Sequence, residues 1–257
     1  MMPRLTSTLF ALILGLSAAL PAAAQERSFT FALRGGLAVT PEYPGSDNYE
    51  PGPDIGFTFG SLSWGRLNVG QGIGNAPATG LSFRGAFRFI GERESSDYPE
   101  LAGLNDIDAT VELGFGAIYR ERNWQAFGEV RKGIGGHDGF TGTLGANLVF
   151  RPTERFTLLA GPRVSFGDSD YASTYFGVSA AEAAASQFGQ FNAGGGALGA
   201  GVEVQGTYRI NDRWAVEGAV SYEKLLNDAA DSPITAIGSE DQWRMRLGLS
   251  RTFNLRF

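Results

Sequence analysis

The chain has 257 residues, of which 37 are glycine, 43% are hydrophobic, only 19% are charged and none is cysteine. The missing cysteines exclude disulfides, a lipoprotein anchor, thiolate metal sites and a cysteine nucleophile. A formal net charge of −6 gives no electrostatic reason to expect a nucleic-acid partner.

The first 24 residues read as a secretory signal peptide. Arg4 supplies the basic start, Leu9 to Leu16 the apolar middle, and Pro21-Ala22-Ala23-Ala24 the small-residue exit, so cleavage is expected after Ala24. Removing residues 1–24 takes away Arg4 alone and leaves 20 basic against 27 acidic side chains. Residues 25–257 are then one domain. No stretch in it reaches the roughly 20 apolar residues of a membrane helix, so any membrane crossing must be made by strands.

From Ser28 onward the pattern is strand-like, with about ten alternating residues between turn signals. Phe29, Phe31, Leu33, Leu37 and Val39 oppose Thr30, Arg34 and Thr40, because successive strand side chains point to opposite faces. The same alternation runs through Phe140–Phe150, Phe156–Phe166, Leu198–Ile210 and Trp214–Tyr222. It is clearest in the last segment. There Trp243, Met245, Leu247, Leu249, Phe253, Leu255 and Phe257 share one face, and only Arg251 breaks the pattern.

Alternation alone also fits a β-sandwich; the connections decide. Tight turns at 120–122, 151–155 and 211–213 alternate with long loops at 91–106, 168–192 and 226–240, as in outer-membrane barrels with short periplasmic turns and long external loops. Aromatics crowd the short turns (Tyr119, Trp124, Phe150, Phe156, Tyr208, Trp214), as expected of an interfacial girdle. The fold class is therefore an all-β, antiparallel transmembrane barrel. With both termini on the periplasmic side the strand number must be even. Twelve is favoured over ten by reading Asp54 to Phe59, Leu62 to Arg66 and Asn68 to Gly74 as three short crossings with a turn at Gly60-Ser61. The terminal Phe257 closes an alternating strand and resembles the signal read by the barrel-assembly machinery.

Few residues offer chemistry. The single histidine, His137, sits beside Asp138 in a glycine-rich loop without a nucleophile motif, and is expected to be an exposed loop residue. No catalytic, cofactor or metal residue is assigned. Acidic residues such as Asp47, Asp54, Asp97, Asp106, Asp168 and Asp228 are expected in solvated external loops. Inward-facing Arg34, Arg84, Arg88, Glu112, Glu129, Arg131, Arg163, Glu203, Glu217, Glu223, Arg244 and Arg246 suggest a lumen braced by ion pairs, or else a selective pore. Ser179-Ala-Ala-Glu182 is a capping box ahead of an alanine run, which predicts a short helix in the longest loop, able to fold inward as a plug.

Two stretches carry a resemblance. Tyr171 to Ser186, with Tyr175, Phe176 and Gly177, and Leu225 to Gly238, with Asp228, Ala229, Ala230, Asp231, Ser232 and Pro233, resemble the hallmark segments of the MipA/OmpV family. The early Tyr43, Gly45 and Ser46 resemble that family's motif after the first strand, and Asn227 stands where a glycine is more usual. The resemblance implies an outer-membrane location among lipid and lipopolysaccharide. It also implies a scaffolding role that links a lytic transglycosylase to a bifunctional murein synthase. Other members are described as porin-like proteins, adhesins or antigens, which keeps a small-solute pore and a surface adhesin as alternatives.

Overall fold

The computed structural model describes residues 27–70, 72–73 and 79–257; the expected signal peptide lies outside these. Eleven antiparallel strands form one sheet that curls into a nearly closed barrel. They are β1 (Ser28–Pro41), β2 (Tyr49–Trp64), β3 (Leu67–Gly70), β4 (Gly80–Ile90), β5 (Thr110–Arg120) and β6 (Trp124–Gly135), followed by β7 (Phe140–Phe150), β8 (Phe156–Gly167), β9 (Gly196–Arg209), β10 (Trp214–Leu225) and β11 (Asp241–Arg256). Neighbours in sequence pair from β4 through to β11, β11 pairs with β1, and β1 and β2 continue the sheet to β3. No helix is long and apolar enough to cross a membrane among the described residues.

Closure is between β2 and β4. A β-carbon on Gly85 of β4 would lie 3.9 Å from Phe59 Cβ of β2, yet no ladder joins the two strands among the described residues.

The strand count departs from the expected twelve. The turn expected at Gly60-Ser61 is a β-bulge: Thr30 pairs with Ser61 while Phe31 pairs with Phe59, so Gly60 is looped out and β2 keeps β1 as its partner on both sides. The chain reverses only at Gly65-Arg66, and β3 then pairs with Ser61–Trp64 for four residues. A crossing strand needs about 9–11 residues, so β3 is a flap rather than a span. The other ten strands are 11 to 16 residues long. Parity therefore holds with ten full crossings.

The alternation read from sequence sets the faces. Leu37, Ile55, Phe83, Phe115, Leu144, Leu148, Val202 and Leu247 are among the large apolar side chains left exposed on the outer wall. Such a surface is stable only against lipid. The connections 65–66, 121–123, 151–155 and 210–213 lie at one end, with β1's start and β11's end. The 42–48, 91–109, 136–139, 168–195 and 226–240 connections lie at the other and contain, among the described residues, the α-helices α1 (Ser169–Phe176), α2 (Ala180–Ala185) and α3 (Pro233–Ala236). As predicted, α2 has a complete capping box between Ser179 and Glu182.

Candidate functional site

The inner wall is a lattice of arginines and carboxylates contributed by alternating positions on adjacent strands. Glu112 of β5, fully buried, accepts from Arg131 Nε of β6 at 2.8 Å and lies 3.8 Å from Arg88 of β4. Arg131 also reaches Glu129, which binds Arg84 Nη2 at 2.7 Å. Arg84 and Arg163 both stack on the Phe127 ring, at 4.6 and 5.0 Å, and Arg163 pairs with Glu203 at 3.0 Å. The guanidinium of Arg34 on β1 binds Asp54 of β2 at 2.6 Å and Glu217 of β10 at 3.3 Å. Glycines make the room for it, since a β-carbon on Gly56 would lie 2.7 Å from Arg34 Cζ. Asp54, expected in an external loop, therefore lines the lumen, because β2 begins five residues before it. Arg244 of β11 also faces inward and is exposed, with no salt bridge to a carboxylate among the described residues.

Above this lattice the long loops fold into a cap with cores of its own. One cluster joins Tyr171, Ala172, Tyr175 and Phe176 of α1 to Ile107, Ala193, Leu198, Leu225 and Ala229. These partners come from strand tips and loops on opposite walls, so α1 lies across the lumen. A second joins Tyr43, Leu101, Leu104, Val178, Phe188 and Ile234. The helix that plugs the mouth is thus α1 rather than the predicted capping-box helix α2, which buries no residue. Burying both tyrosines and Phe176 outweighs what alanine side chains offer.

The cap is bolted to the lattice by polar contacts. Arg88 Nη2 donates to Tyr171 Oη at 3.1 Å, and Arg93, buried in the 91–109 loop, donates to the Tyr175 carbonyl at 3.4 Å. His137 is 3% exposed, contrary to the expectation of an exposed loop residue. Its Nδ1 accepts from Gly139 N at 3.1 Å, which leaves Nε2 as the protonated nitrogen, 3.2 Å from Glu112 Oε1. That pair is close without being aligned as a hydrogen bond, and neither atom has another partner. The imidazole is wedged edge-on against the Tyr171 and Tyr175 rings, at 5.1 and 5.6 Å. Burial holds its pKa below the ordinary histidine value, and Glu112 offsets this only in part. An imidazole enclosed in this way has no face for a substrate.

The motif residues converge on this cap. Gly45 adopts φ +95°, open to glycine, and a β-carbon there would meet Thr235 Oγ1 at 2.7 Å. Gly45 N donates to Gln242 Oε1 (3.2 Å), Ser239 N donates to Gly45 O (2.8 Å), and Gln242 Nε2 donates to Ser46 O (3.1 Å). Ser46 and Ser232 are fully buried. Ser232 caps α3 by accepting from Ile234 N and donates to the Phe176 carbonyl at 2.7 Å, which ties the 226–240 loop to the end of α1 just before Gly177. Asp228 accepts from Gly194 N, and Thr235 donates to the Ala229 carbonyl at 2.7 Å. Ala230 packs on the first cluster, Pro233 opens α3, and Asp231 N closes a turn onto Asn227 O at 2.8 Å. Asn227 itself has φ +50°, the left-handed region, which accounts physically for a position where glycine is more usual. Tyr43 donates to Glu100 at 3.1 Å, and burial beside that carboxylate pushes its pKa up. Phe257 stands apart, at the short-turn end against Trp64.

Several cap acids act as helix caps and turn acceptors rather than as solvated charges. Asp168 caps α1, accepting from Tyr171 N (3.0 Å) and Phe140 N (2.8 Å); partial burial opposes its ionisation, but these donors hold its pKa below the usual range. Asp106 accepts from Ser95 N and Oγ at 2.7 and 2.9 Å. Sequence reading gave no structural role to Gln242 or Arg93, and marked Tyr171 only as the start of a family-like segment. The one signal was an arginine isolated within an acidic loop.

Residues 33–253 match the family model described as MltA-interacting protein MipA. Outer membrane protein Omp26La of Vibrio anguillarum and outer membrane protein OmpV of Vibrio cholerae are each 36% identical to this chain over 80 residues. The match takes in 31% of this chain and 30% of either relative, so it spans less than a third of the relatives' length. Among solved structures, an outer membrane channel from Pseudomonas putida aligns over 91% of this chain and 100% of its own, with 10% identity and a TM-score of 0.47. OmpT, an outer membrane protein of Vibrio cholerae, aligns over 92% and 100%, with 8% identity and a TM-score of 0.34.

Proposed function

Because the chain belongs to the MltA-interacting protein MipA family and is an integral barrel of the outer membrane, we propose that it is a non-catalytic scaffold that links a lytic transglycosylase to a murein synthase. The observation that carries this reading is the cap. A protein that holds enzymes at its periplasmic end needs no open passage, and here α1 and its apolar cluster lie across the lumen above an ion-paired wall. The family description, MltA-interacting protein, supports the first of these partners; the synthase rests on the resemblance. The turns at 121–123, 151–155 and 210–213 are the surfaces that face the periplasm. They are small against a standard interface of about 1,600 Å² in total. Several turns must therefore act together.

A second reading, a small-solute pore, is favoured by the water-exposed Arg244 in the lumen. One paired experiment separates the two. The folded, detergent-solubilised barrel is used as bait against periplasmic and membrane proteins of its own organism, and single-channel conductance is recorded on the same sample. Capture of a transglycosylase or murein synthase by a non-conducting barrel supports the scaffold. Reproducible conductance without such capture rejects it in favour of the pore.

A further inference from the structure

The two ends of the barrel carry opposite charge. The cap holds Asp97, Glu100, Asp106, Asp168, Asp228 and Asp231 against few cations such as Arg93 and Lys224, whereas the short-turn end holds Arg27, Arg122, Arg155, Arg213, Arg251 and Arg256 against Glu121, Glu154 and Asp212. None of these six arginines makes an ion pair with a carboxylate among the described residues. Counter-charge from outside the protein is therefore open to them.

Arg251 identifies the source. It is the one break in the apolar face of β11, paired with Leu33 of β1 on one side and Trp214 of β10 on the other, so its side chain leaves the barrel toward lipid. Its guanidinium sits 5.2 Å from the Trp214 ring and 5.0 Å from the Phe253 ring. Arg27 lies 4.4 Å over Trp64 in the same way. A cation stacked on girdle aromatics is held at headgroup depth, where a lipid-facing arginine costs little, and its planar fork still has edges free for phosphate oxygens.

We propose that Arg251, held on the Trp214 and Phe253 rings, binds the phosphate headgroup of an anionic phospholipid in the leaflet at the short-turn end. The aromatic rings set the depth, and the guanidinium supplies the donors. This goes beyond the scaffold reading and does not depend on it, since a headgroup site serves a pore equally well.

The test uses the full mature barrel, delipidated in detergent, offered equal amounts of phosphatidylglycerol and phosphatidylcholine, with retained lipid counted by native mass spectrometry. Wild-type protein is expected to retain phosphatidylglycerol about fivefold over phosphatidylcholine. In Arg251→Gln the ratio should fall toward one, while Lys224→Gln at the cap end leaves it unchanged. Should Arg251→Gln fail to fold, Arg251→Lys, which keeps the charge but loses the planar fork, is expected to lower the ratio in part. Equal retention by the wild type, or an undiminished ratio in Arg251→Gln, overturns the site. Displacement of phosphatidylglycerol by millimolar inorganic phosphate would reduce it to a free-anion site. Displacement by soluble polyglutamate would reassign the collar to an acidic protein partner. Either result overturns the lipid assignment.

Discussion

The cap and the wall beneath it solve the same problem, holding a concave space together, with opposite chemistry. The cap is built like the interior of a soluble protein: Tyr175, Leu101, Ile234 and Val178 are each at most 1% exposed and cluster without ionic help. The wall has its apolar side chains turned outward to lipid, so its inner face is left with arginines, carboxylates and glycines. It coheres through pairs such as Arg131–Glu112 and Arg34–Asp54. Loops in water can bury oil against oil, but a strand whose outer face already takes the oil has only polar groups left to face inward. Where the two chemistries meet, at Glu112, His137 and Tyr171, the contacts are mixed.

This contrast is open to disruption from either side. The largest expected effect is Tyr175→Ala, which leaves a cavity in the cap core and should cost about 3–5 kcal/mol locally. Amide hydrogen exchange should then rise across 168–195 while β5 to β7 stay protected. Equal loss of protection in cap and barrel would mean the two are one cooperative unit. Next, Glu112→Gln removes the carboxylate shared by Arg131, Arg88 and His137. It should cost about 2–3 kcal/mol, read as a lower temperature for the gel-mobility shift of the folded barrel. Asp168→Ala strips the cap from α1 and should cost about 1 kcal/mol, seen as faster exchange confined to 169–176.

The smallest effect is set by pH. His137 has a lowered pKa in the folded cap, so its contribution is present above the unfolded value of about 6.5 and is lost as pH falls through it. Asp168, Asp106 and Glu182 also have lowered values, and their contributions are lost on further acidification below about 4. Exchange in the cap, corrected for intrinsic rates, should therefore increase from pH 7.5 to 5, and His137→Gln should remove that first step. Tighter protection on acidification would contradict the placement of His137.

Much of the wall was legible in the sequence, because a strand exposes its period directly. Alternation from Phe29 to Phe257, together with short and long connections, was enough to read barrel, lipid face and lumen face, and the capping box at Ser179 announced α2. Gly60 misled because a glycine next to serine looks the same whether it turns the chain or bulges a strand. The deciding factor was the partner, β1, which pairs with β2 on both sides of it.

The cap was less legible. Tyr43, Gly45, Ser46, Ser232 and Pro233 stood out as a resemblance, but nothing local says that a glycine at 45 packs on Thr235, or that Gln242 bridges Ser46 and Ser239. His137, expected in solvent, is buried by α1, an element some thirty residues away. By itself, then, the sequence determined the alternation, the two faces, the even number of crossings and the ends at which loops are long or short, since each follows from neighbours along one strand. Only the tertiary structure decided which helix closes the mouth, which carboxylate each arginine meets, and which of the polar residues are buried. Those depend on segments brought together by barrel closure, and separation along the chain carries no record of them.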